Sequence, residues 1–132
     1  MKAGIWIDNH KAYIVYISNG SENLIRVDSD VEDFHVQGGA AAPSPYGTHD
    51  AVSERKYLER KKQQLARYYS ILKQKVKDCE AIYICGPAEA KTGLKKEIVS
   101  DYSLKGKLSL VETCDRMTEN QIVAQVRAFY NE

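Results

Sequence analysis

The order of strand-like and helix-like patterns along the 132 residues predicts an α/β fold of the RNase H-like arrangement, a five-stranded mixed sheet ordered 3-2-1-4-5 with helices on its faces. Three observations carry that expectation. The N-terminal segment to Asp30 reads as an antiparallel meander. A long helical pattern follows between Ser53 and Lys77. The remainder alternates strand, helix, strand, helix, and such crossovers are right-handed by rule. The order is therefore β-β-β-α-β-α-β-α. The length fits a single domain over residues 1–132, whose core needs neither metal nor disulfide.

Lys2–Ile7 (KAGIWI) and Ala12–Ile17 (AYIVYI) are β-rich, and the turn formers Asp8-Asn9-His10-Lys11 between them predict a hairpin. Asn19-Gly20 is the strongest short hairpin signal. The third strand, Asn23–Asp30, alternates Leu24, Arg26 and Asp28 against Ile25, Val27 and Ser29. Its polarity places it at the sheet edge. From Val31 to Val52 periodicity stops and Gly, Pro and small residues dominate, so a flexible loop is expected at about 31–52. Connections of that length are uncommon in compact domains and tend to be functional or disordered.

In the long helix, Leu58, Leu65, Tyr69, Leu72 and Val76 recur on one stripe, with Lys56, Arg60, Gln63, Arg67 and Gln74 opposite. Ser53 is the expected N-cap. Ala81–Cys85 is a short apolar strand closed by Gly86-Pro87; Pro87 suits the first position of a helix whose inner face is Ala90, Leu94 and Ile98. Lys107–Thr113 is the last strand. Thr118-Glu119-Asn120-Gln121 is a capping box opening a helix with Ile122, Val126 and Phe129 or Tyr130 inward.

Charge divides the chain. Glu54–Asp78 holds nine basic and three acidic residues, whereas the rest holds ten basic and fifteen acidic, so the formal net charge of +1 conceals a basic helix on an acidic domain. That distribution is the footprint of a protein that meets phosphates, although a basic helix face is also an ordinary solvated surface. No apolar run approaches the eighteen residues of a membrane span, and no leader pattern precedes the first strand, so a cytoplasmic protein is expected. Cys79, Cys85 and Cys114 are odd in number and lack metal-ligand spacing, which predicts free thiols and no zinc site. Nine tyrosines against two phenylalanines suit both RNA stacking and half-buried core edges.

Asp8 is the sharpest candidate for chemistry, since an acid ending the first strand of such a fold can handle metal or phosphate. Two-metal catalysis needs further carboxylates. Glu112 and Asp115 end the last strand, but the fourth ends in none, and turn capping is the favoured reading of Asp8. His10, His35 and His49 are expected in turns and loops without ligand spacing, and no GxSxG-like nucleophile pattern occurs.

The segments ICGPAEAKTGLKKEI and LSLVETCDRMTENQIVAQV, with the basic helix and N-terminal hairpin, resemble the central domain of the archaeal and eukaryotic peptide-chain release factor and Pelota family. They look closest to short bacterial release-factor-like, translational-machinery-like proteins. The matching positions are Gly86-Pro87, Lys91, Val111-Glu112-Thr113 and Asn120-Gln121, and the resemblance spans nearly the whole chain. It implies the fold already read from the element order and a ribosomal or tRNA setting. Release factors of that family carry a Gly-Gly-Gln tip for peptidyl-tRNA hydrolysis. Here the loop reads Gln37-Gly38-Gly39, the reverse order, so the hydrolytic role is not carried over and a glycine hinge is the favoured reading. Domains flanking the central one in release factors have no counterpart in these residues, so a complete release factor is not expected.

The expected function is a non-enzymatic module that binds rRNA or tRNA through the basic helix and loop, needing no cofactor. Arg55, Lys56, Arg60, Lys61, Lys62 and Arg67 are the expected phosphate contacts, with Lys91, Lys95 and Lys96 a second patch. The alternative is a metal-dependent nuclease or phosphohydrolase using Asp8 with Glu112 or Asp115. A third reading pairs the acidic part of one copy with the basic helix of another in a homo-oligomer.

Overall fold

The sheet expected from the element order is the one that forms. The computed structural model describes residues 1–32 and 48–132. Lys2–Ile7 (β1), Lys11–Ser18 (β2) and Ser21–Asp28 (β3) make the meander, and Thr48–Val76 is the long helix (α1). Ala81–Gly86 (β4), Ala90–Ser100 (α2), a 3-10 turn at Lys105–Lys107, Leu108–Thr113 (β5) and Glu119–Tyr130 (α3) follow. The five strands lie in the order β3-β2-β1-β4-β5, with the polar β3 at one edge.

β1 pairs antiparallel with β2 (Ile5↔Ile14) and parallel with β4 (Ile5↔Ile84). The turn between β2 and β3 is two residues long, from Ser18 to its partner Ser21. Both turn residues have positive φ, 50° at Asn19 and 81° at Gly20, the geometry whose twist matches that of the flanking strands.

Strand periodicity sends alternate residues to two cores. Ala3, Ile5, Ile7, Ile14, Ile82 and Ile84 face α1 and α2, where Tyr68, Leu72, Val76, Leu94 and Ile98 cover them. Trp6, Tyr13, Val15, Ile17, Tyr83 and Cys85 face α3 and meet Ile122 and Val126. Coverage on both sides is why β1, β2 and β4 read as nearly unbroken apolar runs. Gly4 and Gly86 allow the layers to meet: a Cβ on Gly4 would overlap the Val126 side chain, and one on Gly86 would overlap the Ile7 carbonyl oxygen.

The final helix has its capping box, with Gln121 N–H donating to Thr118 Oγ1 at 3.2 Å and Thr118 N–H donating to Gln121 Oε1 at 2.9 Å. Four local expectations are corrected. α1 begins at Thr48, so Ser53 is an interior residue and not the N-cap, and 48–52, His49 among them, are helix and not loop. No Gly or Pro occurs after Gly47 until Gly86, and adding residues to an existing helix avoids a second nucleation. Pro87 sits in the bend before α2, whose N-cap is Glu89. Lys107 ends the 3-10 turn, and β5 starts one residue later. Leu58 is 54% exposed, and Tyr57 is the buried residue.

Candidate nucleic-acid interface

α1 has 29 residues and is about 43 Å long at 1.5 Å per residue. The strands it crosses, of six to eight residues, span roughly 20–26 Å. Its C-terminal half is anchored on the sheet through Tyr68, Tyr69, Leu72 and Val76; from Ser53 to Arg67 the one buried side chain is Tyr57. Most of the helix circumference there is left to solvent, and the sequence fills it with cations.

Arg55, Lys56, Lys62 and Arg67 are exposed, and none takes part in an ion pair among the described residues. Arg60 differs. Its guanidinium donates to both oxygens of Glu32, from Nη2 at 2.8 Å and from Nε at 3.1 Å, a bidentate pair that keeps its pKa above the ordinary value. Gln64 completes a clamp, donating through Nε2 to Glu32 Oε2 at 3.0 Å and accepting from Glu32 N–H at 2.9 Å. Tyr57 adds a bond from its hydroxyl to the Glu32 carbonyl at 3.4 Å. The clamp fastens the segment after β3 to α1 and explains the displaced stripe. Near its N-terminus the helix buries the flank facing Glu32, one residue out of phase with the stripe facing the sheet. Arg60 is thus a structural link, while Lys61 lies with Nζ 5.9 Å from the centre of the Tyr57 ring.

On α2, Lys95 and Lys96 are exposed. Lys91 is half-buried and donates from Nζ to the Ala88 carbonyl at 2.6 Å, so its charge rests on the turn leading into the helix. α1 and α2 are joined lower down by Lys73, 3.8 Å from Glu97 and 3.7 Å from Asp101.

Two of the three carboxylates behind the alternative reading, those of Asp8 and Glu112, are occupied. Asp8, 2% exposed, accepts on Oδ1 from the N–H groups of His10 (2.7 Å) and Lys11 (2.8 Å) and on Oδ2 from Arg116 Nη1 (3.0 Å). It caps the β1–β2 turn. Its own carbonyl accepts from the buried Tyr68 hydroxyl at 3.1 Å. Glu112 accepts a hydrogen bond from Tyr83, whose phenol also accepts from Gln125 at 3.1 Å; burial, then this carboxylate, pushes the phenol pKa up. Asp115 contributes its backbone carbonyl, which accepts from Trp6 Nε1 at 3.2 Å. Among the described residues no three His, Cys, Asp or Glu side chains converge to hold a metal ion. Gln37, Gly38, Gly39 and His35 lie outside the described residues.

Sequence reasoning missed the partners that bind across the chain. Arg116 is 108 positions from Asp8, and Glu32 is 28 from Arg60. Neither partner stands in a motif; the three-residue step between Glu32-interacting Tyr57 and Arg60, continued at Gln64, is visible only once the helix phase is known. The three cysteines are free, as their spacing suggests, with Cys79 and Cys85 buried and all three thiols pushed up by burial. No described helix is long and apolar enough to cross a membrane.

No protein-family model and no curated protein matches the chain. Solved structures do. An archaeal translation termination factor, aRF1, superposes with a TM-score of 0.53 and 15% identity over 98% of this chain and 39% of that one. A structure described as an archaeal protein gives 0.47 and 13% over 98% of this chain and 38% of its own. The chain therefore spans about two fifths of the length of these structures, and what it shares with the termination factor is a fold.

Proposed function

We propose that this chain is a non-enzymatic, RNA-binding module of the translation apparatus, which meets rRNA or tRNA through the outer face of α1. The observation that carries the reading is the cationic ridge Arg55, Lys56, Lys62 and Arg67, exposed and without an ion pair among the described residues, on a helix with a single buried side chain between Ser53 and Arg67. Each such side chain neutralises one phosphate and releases counterions, so affinity falls steeply with salt. The fold shared with aRF1, a translation termination factor, supports a ribosomal setting. Asp8 is held by turn amides and Arg116, and Glu112 by Tyr83, which favours structural roles for both over the nuclease alternative.

The ridge is tested by Lys62→Glu with Arg67→Glu, both at exposed positions where the fold should be indifferent. Fluorescence anisotropy with a labelled tRNA should show weaker binding and a slope of log affinity against log salt reduced by roughly 2. An unchanged affinity and slope would place the RNA contact elsewhere or remove it.

A further inference from the structure

β1 and β4 lie side by side and parallel, with Trp6 opposite Cys85. The chain leaves them in opposite directions, from β1 to β2 on one side and from β4 through α2 to β5 on the other. In open α/β sheets the crevice outside the carboxyl ends of such a pair is where ligands bind. Here that crevice is a cleft of about 500 Å³ between α1 and the first turns of α2, within the ~300–1,000 Å³ usual for small-molecule sites.

The lining has two characters. Leu65 and Tyr69 of α1 and Gly93 of α2 give it an apolar floor, and a Cβ on Gly93 would overlap the Tyr69 hydroxyl, so glycine is what lets the two helices meet there. Around it stand Lys61 from α1 and Lys96 from α2, with Asn9 after β1 and Glu89 after β4. Neither lysine belongs to an ion pair among the described residues. Two unneutralised cations thus come from different helices to one cavity, beside a carboxylate and a carboxamide that can accept hydrogen bonds. An anion with apolar bulk and hydroxyl donors matches that set; a bare anion uses only half of it.

We propose that this cleft binds one nucleoside monophosphate unit. Lys61 and Lys96 take the phosphate, the ribose hydroxyls donate to Glu89 and to the Asn9 amide oxygen, and the sugar and base cover Leu65 and Tyr69. The unit is either a free nucleotide or one nucleotide of a strand lying along α1; the second source rests on the RNA-binding reading.

Isothermal titration of the full chain with a ribonucleoside 5′-monophosphate, the parent nucleoside and inorganic phosphate tests the site. The monophosphate should bind saturably and more tightly than either fragment. Lys61→Gln with Lys96→Gln should weaken it about ten-fold or more, because each lysine contributes a charge-assisted hydrogen bond. Lys77→Gln with Lys105→Gln removes equal charge from other exposed positions and should leave it unchanged. Absence of saturable binding, equal loss in both double variants, or phosphate binding as tightly as the nucleotide would each overturn the proposal. Competition between monophosphate and tRNA in the anisotropy assay identifies a nucleotide of the strand as the source, and independent binding identifies free nucleotide. The two readings fail separately. If the monophosphate does not bind while Lys62→Glu with Arg67→Glu still weakens tRNA binding, the cleft falls and the ridge stands. If the chain binds the monophosphate and ignores tRNA, the ridge falls and the cleft stands.

Discussion

Asp8 shows how a residue with two chemical readings is decided by its neighbours. Two turn N–H groups and the Arg116 guanidinium share its carboxylate, and its side chain is almost wholly buried. Asp8→Ala strands both amides and should lower stability by about 2–4 kcal/mol; Asp8→Asn keeps an oxygen for them and should lose only about 1 kcal/mol. Urea unfolding separates the two, and equal losses would mean that the amides are not held by this oxygen. The turn was legible because Asp8-Asn9-His10-Lys11 is rich in local hydrogen bonders. Arg116 was not, since nothing local marks a guanidinium that reaches back across the molecule. Buried phenols supply a second prediction at this scale. Tyr68 and Tyr83 have pKa values raised above the ordinary 10.0, chiefly by burial. They stay protonated in the folded protein while those of the unfolded chain ionise. The stability they contribute is therefore complete below pH 10 and is lost as pH rises beyond it, by up to about 1.4 kcal/mol per pH unit for each phenol. Urea midpoints at pH 9, 10 and 11, followed with tyrosinate absorbance, should fall slightly over the first interval, because about half of the unfolded chain's phenols are ionised at pH 10, and more steeply over the second.

At the scale of the element, α1 combines two helices in one. Its C-terminal half obeys the periodicity of Leu65, Tyr69, Leu72 and Val76, and its N-terminal half follows Tyr57 and the Glu32 clamp. The pattern of Leu58, Leu65, Leu72 is a sound heptad, yet Leu58 is left 54% exposed. Periodicity reports which residues could share a face, not where the facing layer ends. Leu58→Ala should therefore change stability by no more than about 0.5 kcal/mol, whereas Leu72→Ala, at full burial, should lose about 2–5 kcal/mol. Equal effects in thermal or urea unfolding would show that the N-terminal half of the helix is packed after all. The early start at Thr48 was hidden for a related reason: the sequence offers Ser53 as a cap but no breaker directly before it, and a cap residue without a breaker is only an opportunity.

For the whole molecule, the strand order and the charge distribution were legible to different degrees. The strand order follows from connection rules: a meander followed by two right-handed crossovers has few ways to bury its apolar strands, so the 3-2-1-4-5 sheet was legible before any contact was known. The candidate interface was half legible. Lysines and arginines declared themselves by number along α1, but their division into exposed cations, the clamped Arg60 and the cleft-lining Lys61 and Lys96 depends on partners contributed by the segments after β3 and β4 and by α2. An acidic body carrying a cationic helix will orient toward a polyanion, and the ribosome is the polyanion of the function proposed above. Sedimentation of the chain with ribosomes through sucrose gradients at low and high salt, with and without ribonuclease, tests this most directly. Co-migration with ribosomal particles at low salt, released by salt, abolished by ribonuclease and weakened by Lys62→Glu with Arg67→Glu, is the predicted result. A chain that stays at the top of every gradient, or that co-migrates equally well when those two charges are reversed, would contradict it.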